Sequence, residues 1–93
     1  MATVRIPPVL RPKTDGQAEV EAEGGNVGEV LRSLTGEHPG TEEQLFGEDG
    51  ELNRYVNVYL NDEDVRVLQG LETAVKDGDT VVILPAMAGG AAA

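Results

Sequence analysis

Residues 77–85 read Asp77-Gly78-Asp79-Thr80-Val81-Val82-Ile83-Leu84-Pro85. Asp-Gly-Asp is turn chemistry, because glycine accepts a left-handed backbone and aspartate bonds its own main chain. The run from Thr80 to Leu84 is β-branched and apolar on both faces, Val81 and Ile83 against Val82 and Leu84. A strand with one wet face would alternate apolar with polar residues, so this one belongs in the middle of a sheet. Its second apolar row is then either covered by another element or a docking surface.

Working outward from that strand, Arg54 to Leu60 has period two, with Val56, Val58 and Leu60 on one side and Tyr55, Asn57 and Tyr59 on the other. The acidic Asn61-Asp62-Glu63-Asp64 after it reads as a turn. Near the start, Val4 and Ile6 alternate with Thr3 and Arg5 until Pro7-Pro8 interrupts, and Ala18, Val20 and Ala22 alternate with glutamates. These predict two half-buried strands joined by a loop from Pro7 to Gln17. Asn26 with Glu29 three residues on has capping spacing, and Val27, Val30, Leu31 and Leu34 fall at i, i+3, i+4 and i+7. A helix is expected there, stopped by Gly36 and Pro39. Thr41-Glu42-Glu43-Gln44 repeats the capping spacing and predicts a single helical turn, with Leu45 and Phe46 packing under the sheet. Strand, strand, helix, short turn, strand, turn and central strand is the order of an α+β fold of the β-grasp (ubiquitin-like) kind, a mixed sheet packed on one main helix. The expected organisation is a domain over 1–86 and a flexible tail over 87–93.

Composition narrows the function classes. Ninety-three residues make one domain, and at this size folding hides only roughly 60–65% of the unfolded chain's surface, so a deep catalytic cavity is not expected. Seventeen acidic against seven basic residues give a formal charge of −10, which repels a nucleic-acid backbone and anionic lipid. The same charge serves solubility and can steer the chain toward basic surfaces on a protein partner. No apolar run approaches the roughly 20 residues that span a bilayer, and the N-terminus lacks a secretory layout. The cytoplasm is the expected location. Cysteine is absent, which leaves no disulfide, thiolate metal site or cysteine nucleophile.

Few side chains could do chemistry. His38 stands alone in Gly36-Glu37-His38-Pro39-Gly40 and reads as a solvated loop residue. Asp62, Glu63 and Asp64 lack the alternating ligands and the glycine of a calcium loop, so they read as a solvated turn. The lone serine, Ser33, lies inside the predicted helix and has no hydrolase partners. An autonomous enzyme is not expected. What remains is Gly89-Gly90, on a tail of small uncharged residues with Met87 as the one large side chain. Extended, Pro85 to Gly90 reaches about 17 Å, far enough to enter another enzyme's active site. Glycines suit that task because a backbone without Cβ atoms threads a narrow channel.

Arg54 to Arg66, then Gly70-Leu71-Glu72-Thr73, then Asp77 to Ala86, ending at Gly89-Gly90, resembles a known family. Ile6-Pro7-Pro8-Val9-Leu10-Arg11-Pro12 adds to the likeness, which covers nearly the whole chain. The family is the ubiquitin-like sulfur carriers related to the small subunit of molybdopterin synthase and to the thiamine carrier (MoaD and ThiS), most of all the CysO type. The most specific part is the Asp-Gly-Asp turn, strand and Gly-Gly combination.

The resemblance implies that an E1-like adenylyltransferase and sulfurtransferase (MoeB/MoeZ-like) uses ATP to convert the Gly90 carboxylate to an acyl-adenylate. A sulfur donor then displaces AMP to leave a thiocarboxylate, with Gly89 as Gly90's channel neighbour. It further implies a pyridoxal-phosphate-dependent cysteine synthase (CysM-like) as acceptor enzyme, or another sulfur-accepting synthase, and a zinc metalloprotease of the JAMM class that releases cysteine. The carrier itself would bind none of these cofactors. Mature carriers of this kind end at Gly-Gly, whereas this sequence runs on through Ala91, Ala92 and Ala93, so cleavage between Gly90 and Ala91 is expected. The apolar rows of the last strand, Val82 and Leu84 or Val81 and Ile83, are candidate docking faces for the adenylating enzyme. Two other readings stay open. One is a carrier for a different acceptor, such as molybdopterin, thiamine thiazole or a sulfur-containing secondary metabolite. The other is a ubiquitin-like protein modifier or interaction module.

Overall fold

Five strands form a mixed sheet: β1 (Ala2–Arg5), β2 (Glu19–Ala22), β3 (Val56–Leu60), β4 (Glu63–Asp64) and β5 (Thr80–Pro85). The computed structural model describes residues 1–85, so the tail sequence from Ala86 onward lies outside the described residues. The strand order is β2-β1-β5-β3-β4, which puts the doubly apolar strand at the centre. β5 runs parallel to β1 and antiparallel to β3. This sheet and its helix have the β-grasp arrangement.

Helix α1 (Val27–Glu37) forms because its apolar spacing gives one buried stripe, Val27, Val30, Leu31 and Leu34. The stripe packs in one core with Val4, Val20, Val58, Val81 and Ile83 from the sheet. Asn26 caps it, its Oδ1 accepting from Glu29 N at 2.8 Å, while Glu29 Oε1 accepts from Gly25 N at 2.7 Å. The reciprocal bond thus reaches one residue before the cap. Gly24 lies so close to this first turn that a Cβ on it would stand 2.6 Å from Val30 N.

Several expectations shift. The Pro7–Gln17 loop contains a 3-10 helix, Pro8–Thr14, begun by a proline whose fixed φ suits a first turn and held by the buried Thr14 hydroxyl, which bonds the Arg11 and Gln17 carbonyls at 3.2 and 3.0 Å. Ala18 is exposed and precedes β2. α1 passes through Gly36 and stops at His38, whose φ of −131° and ψ of 76° have left the helical region that Pro39 disfavours for its predecessor. His38 is therefore a half-buried helix end. The short helix α2 (Glu42–Leu45) exists, but Thr41 does not cap it with its side chain, since its hydroxyl bonds the His38 carbonyl at 2.7 Å. Leu45 is buried and Phe46 half-buried. β3 starts only at Val56, because Asn53 folds the preceding residues into a turn, its Oδ1 accepting from Tyr55 N at 2.9 Å and its carbonyl from Val56 N at 3.0 Å. Asn61 and Asp62 take positive φ, 49° and 76°, and Glu63-Asp64 turns back as the short β4.

Candidate functional site

Alternation along β5 separates its two apolar rows. Val81 and Ile83 are fully enclosed at 0% and 1% exposure, whereas Leu84 is 44% exposed and Val82 half-buried. Of the four candidate docking residues, Val81 and Ile83 therefore belong to the core under α1, and only Val82 and Leu84 are open to a partner. Pro8 and Arg11 of the 3-10 helix stand beside this second row but leave Leu84 exposed, so the doubly apolar pattern of β5 reflects a partly open surface patch.

Register builds that patch. Arg5 of β1 and Tyr59 of β3 flank Val82, and Asn57 flanks Leu84. Glu19 lies beyond Arg5 and Asp64 beyond Tyr59. The Arg5 and Glu19 side chains approach to 3.7 Å, a loose pair between exposed groups that contributes about 0–1 kcal/mol. Arg66 is held by two bonds of 2.9 Å, from Nη1 to Asn57 Oδ1 and from Nη2 to the Asn53 carbonyl. The result is an apolar strip of Val82, Leu84 and Tyr59 with guanidinium groups on both sides. Tyr59, Arg5 and Arg66 are not among the residues expected from sequence. Parity placed Asn57 and Tyr59 on the side opposite the core, but which strand lies beside them depends on long-range register.

β5 ends at Pro85, opposite Val56, and the sequence continues from that corner toward Gly89 and Gly90. Gly89, Gly90 and Ala91 lie outside the described residues. The opposite end of β5 is locked by the turn that precedes it. Asn61 Nδ2 donates to Asp79 Oδ1 and Asn61 Oδ1 accepts from Thr80 N, both at 3.0 Å, while Asp79 Oδ2 accepts from Lys76 N at 2.8 Å. The Lys76 N–H and then the Asn61 amide hold the Asp79 carboxyl below the usual range. Asp77 is likewise lowered, by its 2.7 Å contact with the terminal amine of Met1, whose own pKa is raised by it. These perturbed carboxylates do structural work away from the tail corner.

Nothing else described resembles an active site. A concavity of about 890 Å3 between α1 and the 47–53 loop is lined by Arg32, Glu42, Glu43 and Glu48, with the Arg32 guanidinium 5.5 Å from the Phe46 ring centre. It holds no paired base and nucleophile. Among the described residues no group of three or more histidine, cysteine or carboxylate side chains is placed to hold a metal, and no described helix is long and apolar enough to cross a membrane.

The comparisons with known proteins agree with this geometry. The model of the ThiS family matches residues 4–90. The sulfur carrier protein CysO of Mycobacterium tuberculosis is 51% identical over 90 residues, spanning 95% of this chain and 97% of the relative. Its crystal structure superposes with a TM-score of 0.87, covering 92% of this chain and 99% of that one. The BexX/CysO complex of Amycolatopsis orientalis contains a chain with 49% identity and a TM-score of 0.87, with 92% of this chain and 96% of that one covered. Small archaeal modifier protein 3 of Haloferax volcanii is 48% identical over 64 residues, 69% of this chain and 68% of the relative. A family match that takes in nearly all of the described domain and ends at Gly90, with relatives alike in sequence and fold, makes this chain a member of the ThiS family of ubiquitin-like sulfur carriers.

Proposed function

We propose that this chain carries sulfur as a thiocarboxylate on Gly90, formed after the three alanines that follow are removed. The observation that carries the reading is that the family match runs from residue 4 to 90 and stops at the second glycine, leaving Ala91, Ala92 and Ala93 beyond it. A free carboxylate is a poor electrophile. An E1-like enzyme therefore joins the Gly90 carboxylate to AMP and releases pyrophosphate from ATP. A sulfur donor then attacks the acyl carbon and expels AMP, leaving Gly90 with C(O)S− in place of CO2−. Three further extended residues would move the carboxylate by about 10 Å and put a Cβ beside it, so a channel shaped for glycine would reject the unprocessed form.

Val82 and Leu84, flanked by Tyr59, Arg5 and Arg66, form the face on which the adenylating enzyme docks. The acceptor we favour is the aminoacrylate intermediate of a pyridoxal-phosphate-dependent cysteine synthase, after which an S-to-N acyl shift leaves cysteine amide-linked to Gly90. A JAMM-class zinc protease cuts it free and can also cut Gly90-Ala91. The identity with a CysO protein supports this acceptor, and the A. orientalis relative in complex with BexX supports docking of carriers of this kind on another protein. A second reading, amide transfer of Gly90 to lysines of other proteins, rests on the shorter likeness to a small archaeal modifier protein and is not the one the CysO relatives favour. Stable high-mass conjugates recovered from cells would favour it.

The test compares protein ending at Gly90 with protein ending at Ala93, each incubated with ATP and the host's adenylating enzyme. Only the form ending at Gly90 should gain an adenylyl group by mass spectrometry. Adenylation of the Ala93 form would overturn the processing step.

A further inference from the structure

Two concavities adjoin at the corner where β5 ends, sharing Pro7 and Ile83. One, of about 280 Å3, is lined by Pro7, Val9, Leu10, Tyr55, Val56 and Ile83, with Gln44 and Asn53 as its polar edge. Its rim side chains, Val9 at 64% and Tyr55 at 61% exposure, are among the most exposed large apolar groups of the described residues. The other, of about 290 Å3, brings Arg5 and Arg11 beside Val82 and Leu84. Arg11 spends its Nε on the Ile6 carbonyl at 3.2 Å, and the described residues give it no ion pair.

Charge sets this corner apart. In a chain of net charge −10, carboxylates line the concavity between α1 and the 47–53 loop and the one beside Gly47 and Tyr55. None lines either concavity at the end of β5. The apolar one, at about 280 Å3, sits at the bottom of the roughly 300–1,000 Å3 range of small-molecule sites and has room for a protein side chain. Val56, which lines it, is the residue opposite Pro85, so an enzyme that takes the sequence beyond Pro85 must close around this corner.

We propose that the Val9–Tyr55 pocket, with Arg11 in the adjoining concavity, forms a second docking point for the adenylating enzyme, filled by an apolar side chain of that enzyme with a carboxylate beside it. The inference rests on the carrier reading and adds to the Val82–Leu84 face a pocket that joins it through Pro7 and Ile83. An apolar pocket supplies affinity and the guanidinium supplies steering, which together select one partner among enzymes that recognise Gly-Gly.

The experiment is ATP–pyrophosphate exchange by the host's adenylating enzyme on carrier ending at Gly90, with thermal midpoints recorded for every variant. V9S/Y55S should raise KM for the carrier about tenfold with kcat unchanged. Arg11→Gln should flatten the fall of kcat/KM with salt. Both target residues of the first variant are exposed, so its midpoint should stay near the parent's. An unchanged KM for V9S/Y55S, with the parent active, would overturn the proposal while leaving the carrier reading intact. If Met87→Ser and Val9→Ser lower the midpoint equally and leave KM unchanged, the pocket belongs to the chain's own tail and the proposal also falls. A parent that supports no exchange would sink the carrier reading and this inference with it.

Discussion

Ile83 and Leu84 are sequence neighbours with similar side chains, yet the pleat gives them different work. Ile83 is 1% exposed in the core and Leu84 44% exposed on the outer face. Ile83→Ala should cost about 2–5 kcal/mol of stability in urea unfolding, through lost burial and the cavity left behind. Leu84→Ala should change stability by no more than about 1 kcal/mol but weaken binding of the adenylating enzyme, read as a higher KM in exchange. Equal binding loss from both, after correction for folding, would mean that the outer row is not a docking face. Gly78 is constrained differently: its φ of +87° is one that an L side chain resists, so Gly78→Ala should cost about 1–2 kcal/mol and lower the thermal midpoint.

Elements behave as their local chemistry directs where that chemistry is dense. α1 was legible because cap and apolar spacing agree over several turns, and β5 because only a central strand stays apolar on both rows. The misread places are short. Thr41 offered a cap signature but bonds backward to His38, and the segment after Pro7 offered prolines, which mark a break without saying that a 3-10 helix follows. The turn before β5 is held by the Asp79 carboxylate, whose pKa is lowered by the Lys76 N–H and the Asn61 amide. A carboxylate with a depressed folded pKa stabilises the fold above its unfolded value of about 3.9, and that contribution is lost as pH falls through the folded pKa. The stability gap between wild type and Asp79→Ala should therefore be present at neutral pH and shrink below about pH 4 in acid titrations of unfolding. A gap independent of pH would assign the effect to loop geometry alone.

On the scale of the whole molecule, the described domain is what the carrier reading makes the mount for Gly89-Gly90. The class of fold was legible from the order of patterned segments. The make-up of the outer face around Val82 and Leu84 was not, because which strand sits beside which is settled by contacts between residues far apart in the chain. Arg5 and Tyr59 meet Val82 only because β1 and β3 both pair with β5. The seven basic residues look scattered along the sequence, and only the folded chain gathers Arg5 and Arg11 at the corner from which the tail departs. Gly89 and Gly90 were singled out by chemistry and resemblance, and they lie outside the described residues.

The central claim, that Gly90 becomes the terminal residue and carries sulfur, is tested most directly by the intact mass of the protein recovered from its own host under non-alkylating conditions. The account predicts a mass lacking the three alanines after Gly90, with one oxygen replaced by sulfur. A full-length, unmodified mass even under sulfur demand would contradict it and would leave Gly89-Gly90 as part of an unused tail.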